Sequence, residues 1–168
     1  MKSLFILRHG KSDWNADFGA DHDRPLAPRG RSAARAMGVF LSRLGQGPDL
    51  VISSTADRAH ETARLAAEAG DWSCTVVTDR QLYDGDTDLV LQLIQQQDDA
   101  QESLLLAGHE PTSSEMIVKL IGGGLVRMPT AALARIDFLV ESWAEVEFGR
   151  GMLIWLVTPK LLKKGLEA

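Results

Sequence analysis

A chain of 168 residues with 45% hydrophobic side chains has the length of one domain, residues 1–168, and enough apolar material for a core without disulfides or metals. Eighteen Lys and Arg against 23 Asp and Glu leave a net charge of −5, which argues against nucleic acid or an anionic membrane as partner and obliges any anionic ligand to find local positive charge. The single cysteine, Cys74, excludes an internal disulfide and suits a reducing cytoplasm.

The first apolar run, Leu4 to Leu7, is too short for a signal peptide, and no later stretch approaches the roughly 18 apolar residues of a membrane span. It reads as a buried strand. A helix follows, because Ala33, Met37, Phe40, Leu41 and Leu44 recur at steps of three and four before Gly45. Leu50–Ile52 is the second strand, and Ala59, Ala63, Ala66 and Ala67 mark a small-residue helix able to approach a sheet closely, ending at Gly70. The third strand is Thr75–Val77, with Cys74 expected to be buried beside it. Asp84-Gly85-Asp86 reads as a turn before a third helix carrying Leu89, Leu93 and Ile94. Leu104–Ala107 is the fourth strand. The helix after it has Pro111 in its first turn, an apolar stripe of Met116, Ile117, Leu120 and Ile121, and a stop at Gly122-Gly123-Gly124. Leu133–Phe138 and Met152–Val157 add two strands of less regular pairing, and Lys160, Lys163 and Lys164 read as a solvated terminus, with docking to an acidic partner as the alternative. Strands alternating with helices predict an α/β fold, a three-layer α/β/α sandwich around a mainly parallel sheet.

In such sheets ligands bind beyond the carboxyl ends of the strands. Arg8, His9 and Gly10 follow the first strand; Ser53, Ser54 and then Arg58 follow the second; Gly108, His109 and Glu110 follow the fourth. Two arginines and two histidines therefore meet at one rim. Arg8 and Arg58 offer forked hydrogen bonds to phosphoryl oxygens, a protonated His109 adds a third contact, and His9, kept neutral by neighbouring guanidinium groups, is the candidate nucleophile. Gly10 is expected to leave space for the phosphate. With no cysteine pair or His-x-x-x-His spacing, and with arginines that repel a cation, neither a metal nor an organic cofactor is expected.

The run Arg8-His9-Gly10-Lys11-Ser12-Asp13-Trp14-Asn15, then Asp21-His22-Asp23-Arg24-Pro25-Leu26 with Arg29-Gly30, resembles the small SixA-type phosphohistidine phosphatases of the histidine phosphatase superfamily. Later blocks agree in order: Ser53-Ser54 with Arg58-Ala59 and Thr62-Ala63, Leu82-Tyr83-Asp84, Gly108-His109-Glu110-Pro111, Pro129-Thr130-Ala131-Ala132-Leu133, Gly149-Arg150-Gly151 and Thr158-Pro159. The resemblance implies a phosphoglycerate mutase-like fold, His9 as the phosphorylated nucleophile, Arg8 and Arg58 as phosphate clamps, and His109 as the second histidine. By the same resemblance Asn15 matches a phosphate-contacting asparagine. Asp84 stands where the family's proton donor, usually a glutamate, is found, so it is either the acid or a turn residue. Arg24 and Arg29 fall outside the family's core catalytic set, and bracing of the loop is the expected role. Trp14 either stacks on a substrate ring or is buried against the first helix.

The short segment after Val77 leaves little material for a lid of the kind larger superfamily members insert, and an open site suits a bulky ligand. The expectation is a phosphatase acting on phosphohistidine in proteins through a phosphohistidine intermediate, without cofactor. A phosphatase for small phosphate esters and a catalytically idle phosphate-binding module are the alternatives.

Overall fold

A computed structural model describes residues 1–166. Its six strands are β1 (Lys2–Arg8), β2 (Leu50–Ser53), β3 (Thr75–Thr78), β4 (Ser103–Gly108), β5 (Leu133–Phe138) and β6 (Met152–Val157). They form one mixed sheet in the order β3-β2-β4-β1-β5-β6. The first four in that order are mutually parallel, whereas β5 runs antiparallel to β1, and β6 antiparallel to β5 with a register shift at Arg135/Ile136.

The alternation of side chains along β1 divides the core. Phe5 and Leu7 face α1 (Pro28–Arg43) and α2 (Asp57–Ala69), meeting Met37, Leu41, Ala63 and Ala66. Leu4 and Ile6 face the opposite layer, where α4 (Thr87–Gln95) and α5 (Thr112–Ile121) supply Val90, Leu93, Ile94, Met116, Ile117 and Leu120. This is the expected three-layer arrangement. The small residues of α2 let α1 approach so closely that a Cβ on Gly38 would lie 1.9 Å from the Ala66 carbonyl oxygen.

Local chemistry sets the element ends. Pro28 opens α1. The Asp86 carboxylate accepts from the Asp88 and Leu89 N–H groups at 3.1 and 3.0 Å, capping α4. Gly122, at φ 87°, terminates α5. Pro111 sits at the N-cap of α5, just before its first turn. Two features were not anticipated: a one-turn helix, α3 (Gln81–Asp84), and a C-terminal helix, α6 (Pro159–Leu166), that packs on α1 where a solvated tail was expected. Cys74 is only half-buried, because it precedes β3, an edge strand whose residues are largely exposed. Among the described residues no helix is long and apolar enough to cross a membrane.

Candidate active site

Register places the chemistry. In the parallel β1/β4 pair Arg8 lies opposite Gly108, and in β2/β4 Ser53 lies opposite Ala107, so three strands end at one level. The His9 backbone is pinned there on both sides. Its N–H donates to the Gly108 carbonyl at 3.0 Å, and its own carbonyl accepts from Ala131 N–H at 3.0 Å. Ala131 holds φ 59°, a left-handed conformation that an alanine adopts only at a cost of roughly 1–2 kcal/mol.

The His9 ring is 7% exposed, and Nδ1 donates to the Gly10 carbonyl at 2.7 Å. That bond leaves the lone pair of the neutral ring on Nε2. Burial first, then the charges of Arg58, Arg8 and Arg24, push the imidazole down to about 4, although the Gly10 contact opposes them. His9 is thus a neutral base at pH 7. His109 lies with its ring centroid 5.1 Å away and is pushed down to about 3 by burial, by His9 and by Arg58. The protonated His109 expected from the sequence is therefore corrected to a neutral ring in the free protein, chiefly because the ring is buried and then because His9 and Arg58 lie beside it. Its Nε2 contacts Ser54 Oγ at 2.8 Å, and its buried Nδ1 has no partner.

Arg58, 5% exposed, donates from its terminal nitrogens to the Asp21 carbonyl at 2.6 Å and to Asp21 Oδ2 at 2.9 Å. Arg8 donates to the Met128 carbonyl at 2.7 Å. Arg24, 6% exposed, donates to Asp21 Oδ1 at 2.9 Å and to Ser12 Oγ, while its guanidinium carbon stacks 3.7 Å from the Trp14 ring centroid. The buried Nε–H groups of Arg8, Arg24 and Arg58 have no acceptor. With His109 Nδ1 they make four of the six buried side-chain polar atoms without a partner among the described residues. Buried donors left in this state cost about 1–3 kcal/mol each, and the three arginines that carry them all act on His9, which makes its surroundings a candidate anion site.

In the sequence Asp21, His22 and Tyr83 stand only as parts of longer motifs, and the structure gives each a place. Asp21 bridges Arg24 and Arg58, and those two bonds hold its carboxyl below the usual carboxylate range against a smaller effect of burial. Tyr83 stands edge-on to His109 at 5.6 Å and to His22 at 4.9 Å, and His22 Nε2 contacts Thr55 Oγ1 at 2.9 Å. No periodicity or spacing signals such contacts, since they join segments far apart in the chain. Thr62 was visible in a motif. Its hydroxyl accepts from Gly10 N–H at 3.0 Å and donates to the Arg58 carbonyl at 2.6 Å, tying the His9 loop to α2.

Other expectations are revised. Gly10 is required by α1: a Cβ there would lie 2.7 Å from the Gly30 carbonyl oxygen, and one on Gly30 would lie 2.2 Å from that of Lys11. Trp14 is 64% exposed on Arg24 and is not buried against α1. Asn15 is exposed in the same loop, its N–H bonded to Asp13 Oδ1 at 2.9 Å, and no contact joins it to the histidines. The Asp84 carboxylate pairs at 2.9 Å with Arg80, both side chains more than half exposed, and no hydrogen bond or ion pair links it to the cluster. Arg24 braces the loop, as expected, while Arg29 lies exposed on α1.

Residues 4–103 match the histidine phosphatase superfamily (branch 1). A functionally uncharacterized protein of Mycobacterium tuberculosis is 34% identical over 164 residues, covering 92% of this chain and all of that protein. Among solved structures, a candidate phosphohistidine phosphatase SixA from Agrobacterium tumefaciens superposes with a TM-score of 0.80 at 28% identity, over 94% of this chain and 98% of its own. The protein histidine phosphatase SixA solved with tungstate shares the fold, with a TM-score of 0.81 at 24% identity over 94% and 97% of the two chains. A neutral histidine among buried arginines at the end of β1, on this sheet and with these relatives, places the chain in branch 1 of the histidine phosphatase superfamily.

Proposed function

We infer that the protein removes the phosphoryl group from phosphohistidine on proteins, with His9 as nucleophile. The observation that carries this reading is the pairing of a committed Nδ1, which leaves Nε2 nucleophilic, with the guanidinium groups of Arg8, Arg24 and Arg58, whose buried Nε–H donors are unpartnered. Nε2 attacks phosphorus, the substrate P–N bond breaks, and its electron pair stays on the departing nitrogen, so that a substrate ring already protonated on its other nitrogen leaves as neutral imidazole. Water then attacks the His9 phosphoramidate, releasing inorganic phosphate and the neutral ring. Arg8, Arg58 and His109 hold the equatorial oxygens as charge develops. The entering dianion also offsets the positive field around His109.

Two features support phosphohistidine over an ester. Only residues 79–86 join β3 to α4, so that crossover carries no lid larger than the one-turn α3, and a histidine on a folded protein has access. An imidazole is a far better leaving group than an alkoxide, so this substrate makes little demand on a general acid, consistent with the engagement of Asp84 by Arg80. Side chains supply the positive charge, and the reaction requires no metal.

The test is turnover of phosphohistidine peptides against a panel of phosphate esters, in excess EDTA, with acid-quench and base-quench trapping of the enzyme. An acid-labile, base-stable adduct on His9, absent in His9→Ala, together with higher kcat/KM for phosphohistidine, is expected. Higher kcat/KM for an ester would make the protein a metabolite phosphatase, and phosphate binding without turnover would make it an idle module.

A further inference from the structure

Helix α6 and the 129–130 segment enclose, with α1, a surface groove of about 820 Å³. Lys11, Arg29, Arg43, Lys160, Lys163 and Lys164 line it, and among the described residues no aspartate or glutamate does. A chain of net charge −5 thus gathers six of its 18 basic residues on one surface. Among the described residues none of the six forms an ion pair, whereas Arg31, Arg64, Arg80 and Arg150 pair with Glu61, Glu68, Asp84 and Glu147. Like charges crowded without counter-charge raise the energy of the free chain and attract an anion.

The floor narrows the choice of anion. Ala33, Val39, Phe40 and Leu162 are half-buried between the cations, so the groove matches a partner that offers apolar side chains as well as carboxylates. A nucleic acid duplex lacks the apolar part of this mixture, and any extended anionic surface, duplex or membrane, meets the repulsion of the acidic remainder of the chain. The groove also adjoins the anion site. Lys11 follows His9 by two residues, and Pro129 and Thr130 follow Met128, whose carbonyl accepts from Arg8.

We propose that this groove docks an acidic, partly apolar segment of the phosphorylated substrate protein, holding it while its phosphohistidine enters the site. This rests on the protein-substrate reading above. The docking segment engages Arg29, Arg43 and the lysines of α6, none of which takes part in the chemistry.

The experiment uses the full chain and the variant combining Lys160→Glu, Lys163→Glu and Lys164→Glu, all exposed positions. Fluorescence anisotropy follows a fluorescein-labelled peptide of repeated Glu-Asp-Leu-Glu units, and turnover is measured in parallel on phosphoramidate, a small substrate. The peptide should bind the wild type, lose at least about tenfold in affinity in the variant, and weaken as salt rises, while phosphoramidate turnover stays unchanged. Equal affinity for both proteins, no binding at all, or stronger binding of duplex DNA or phosphatidylserine vesicles than of the peptide would overturn the proposal. If the peptide docks as expected but no phosphohistidine protein is hydrolysed, the acidic-segment surface stands and the substrate assignment alone falls.

Discussion

The protonation state of His9, the proposed nucleophile, can be tested directly, because the chain has only four histidines and each gives a separable imidazole signal. An ordinary histidine titrates near 6.5, and His9 is displaced to about 4, mainly by burial and then by Arg58, Arg8 and Arg24. The difference corresponds to about 3 kcal/mol in favour of the neutral ring. At pH 5.5 a solvent-exposed imidazole is about nine-tenths protonated, whereas His9 should be only about one-thirtieth protonated. Carbon-13 and nitrogen-15 chemical shifts of labelled histidine, assigned with His9→Ala, follow the titration. His9 should remain neutral through pH 5. In Arg58→Ala its midpoint should rise but stay below 6.5, because burial is the larger cause and persists. Inorganic phosphate should raise the His109 midpoint by bringing negative charge. A wild-type His9 midpoint near 6.5 would refute the argument that this site holds a ready nucleophile. The same displacement links to stability. The unfolded chain takes up a proton near 6.5 and the folded one only near 4, so folding free energy is fully present above 6.5 and falls as pH drops through that window. The slope is about 1.4 kcal/mol per pH unit for this one group, measurable by urea denaturation at pH 7 and pH 5.

Arg58→Ala should reduce kcat on the order of 10²-fold with a smaller change in KM, since its donors act on developing charge; a pure KM effect in steady-state kinetics would confine it to docking. Asp84→Asn should leave phosphohistidine hydrolysis within about threefold, because its carboxylate serves Arg80, and a loss approaching the roughly 10²-fold expected of a general acid would restore it to that role. Gly38→Ala should destabilise the fold by about 1–3 kcal/mol in denaturant melts, since its Cβ would lie 1.9 Å from the Ala66 carbonyl oxygen and α1 must move off α2; an unchanged midpoint would mean that the helices separate without cost.

All six strands and four of the helices were legible in the chain, and the reason is local. Parallel strands buried on both faces read as unbroken apolar runs, such as Leu4–Leu7 and Leu104–Ala107, and helices packed on them repeat at three and four residues. Arg8, His9, Arg58 and His109 were legible for a related reason: residues at or just beyond the carboxyl ends of parallel strands share one rim whatever the strand order. Tertiary structure alone decided what those residues touch. Asp21 bridges Arg24 and Arg58 from a 3₁₀ turn outside the strand pattern, and Trp14 covers Arg24 instead of entering the core. Gly10 answers to Gly30 of α1, twenty residues away, and α6 folds back onto α1 to complete a basic groove from cations scattered between Lys11 and Lys164. Periodicity reports which face of a segment is apolar, whereas hydrogen bonds, stacking and burial of charge depend on the distance between segments, which exists only once the sheet has assembled.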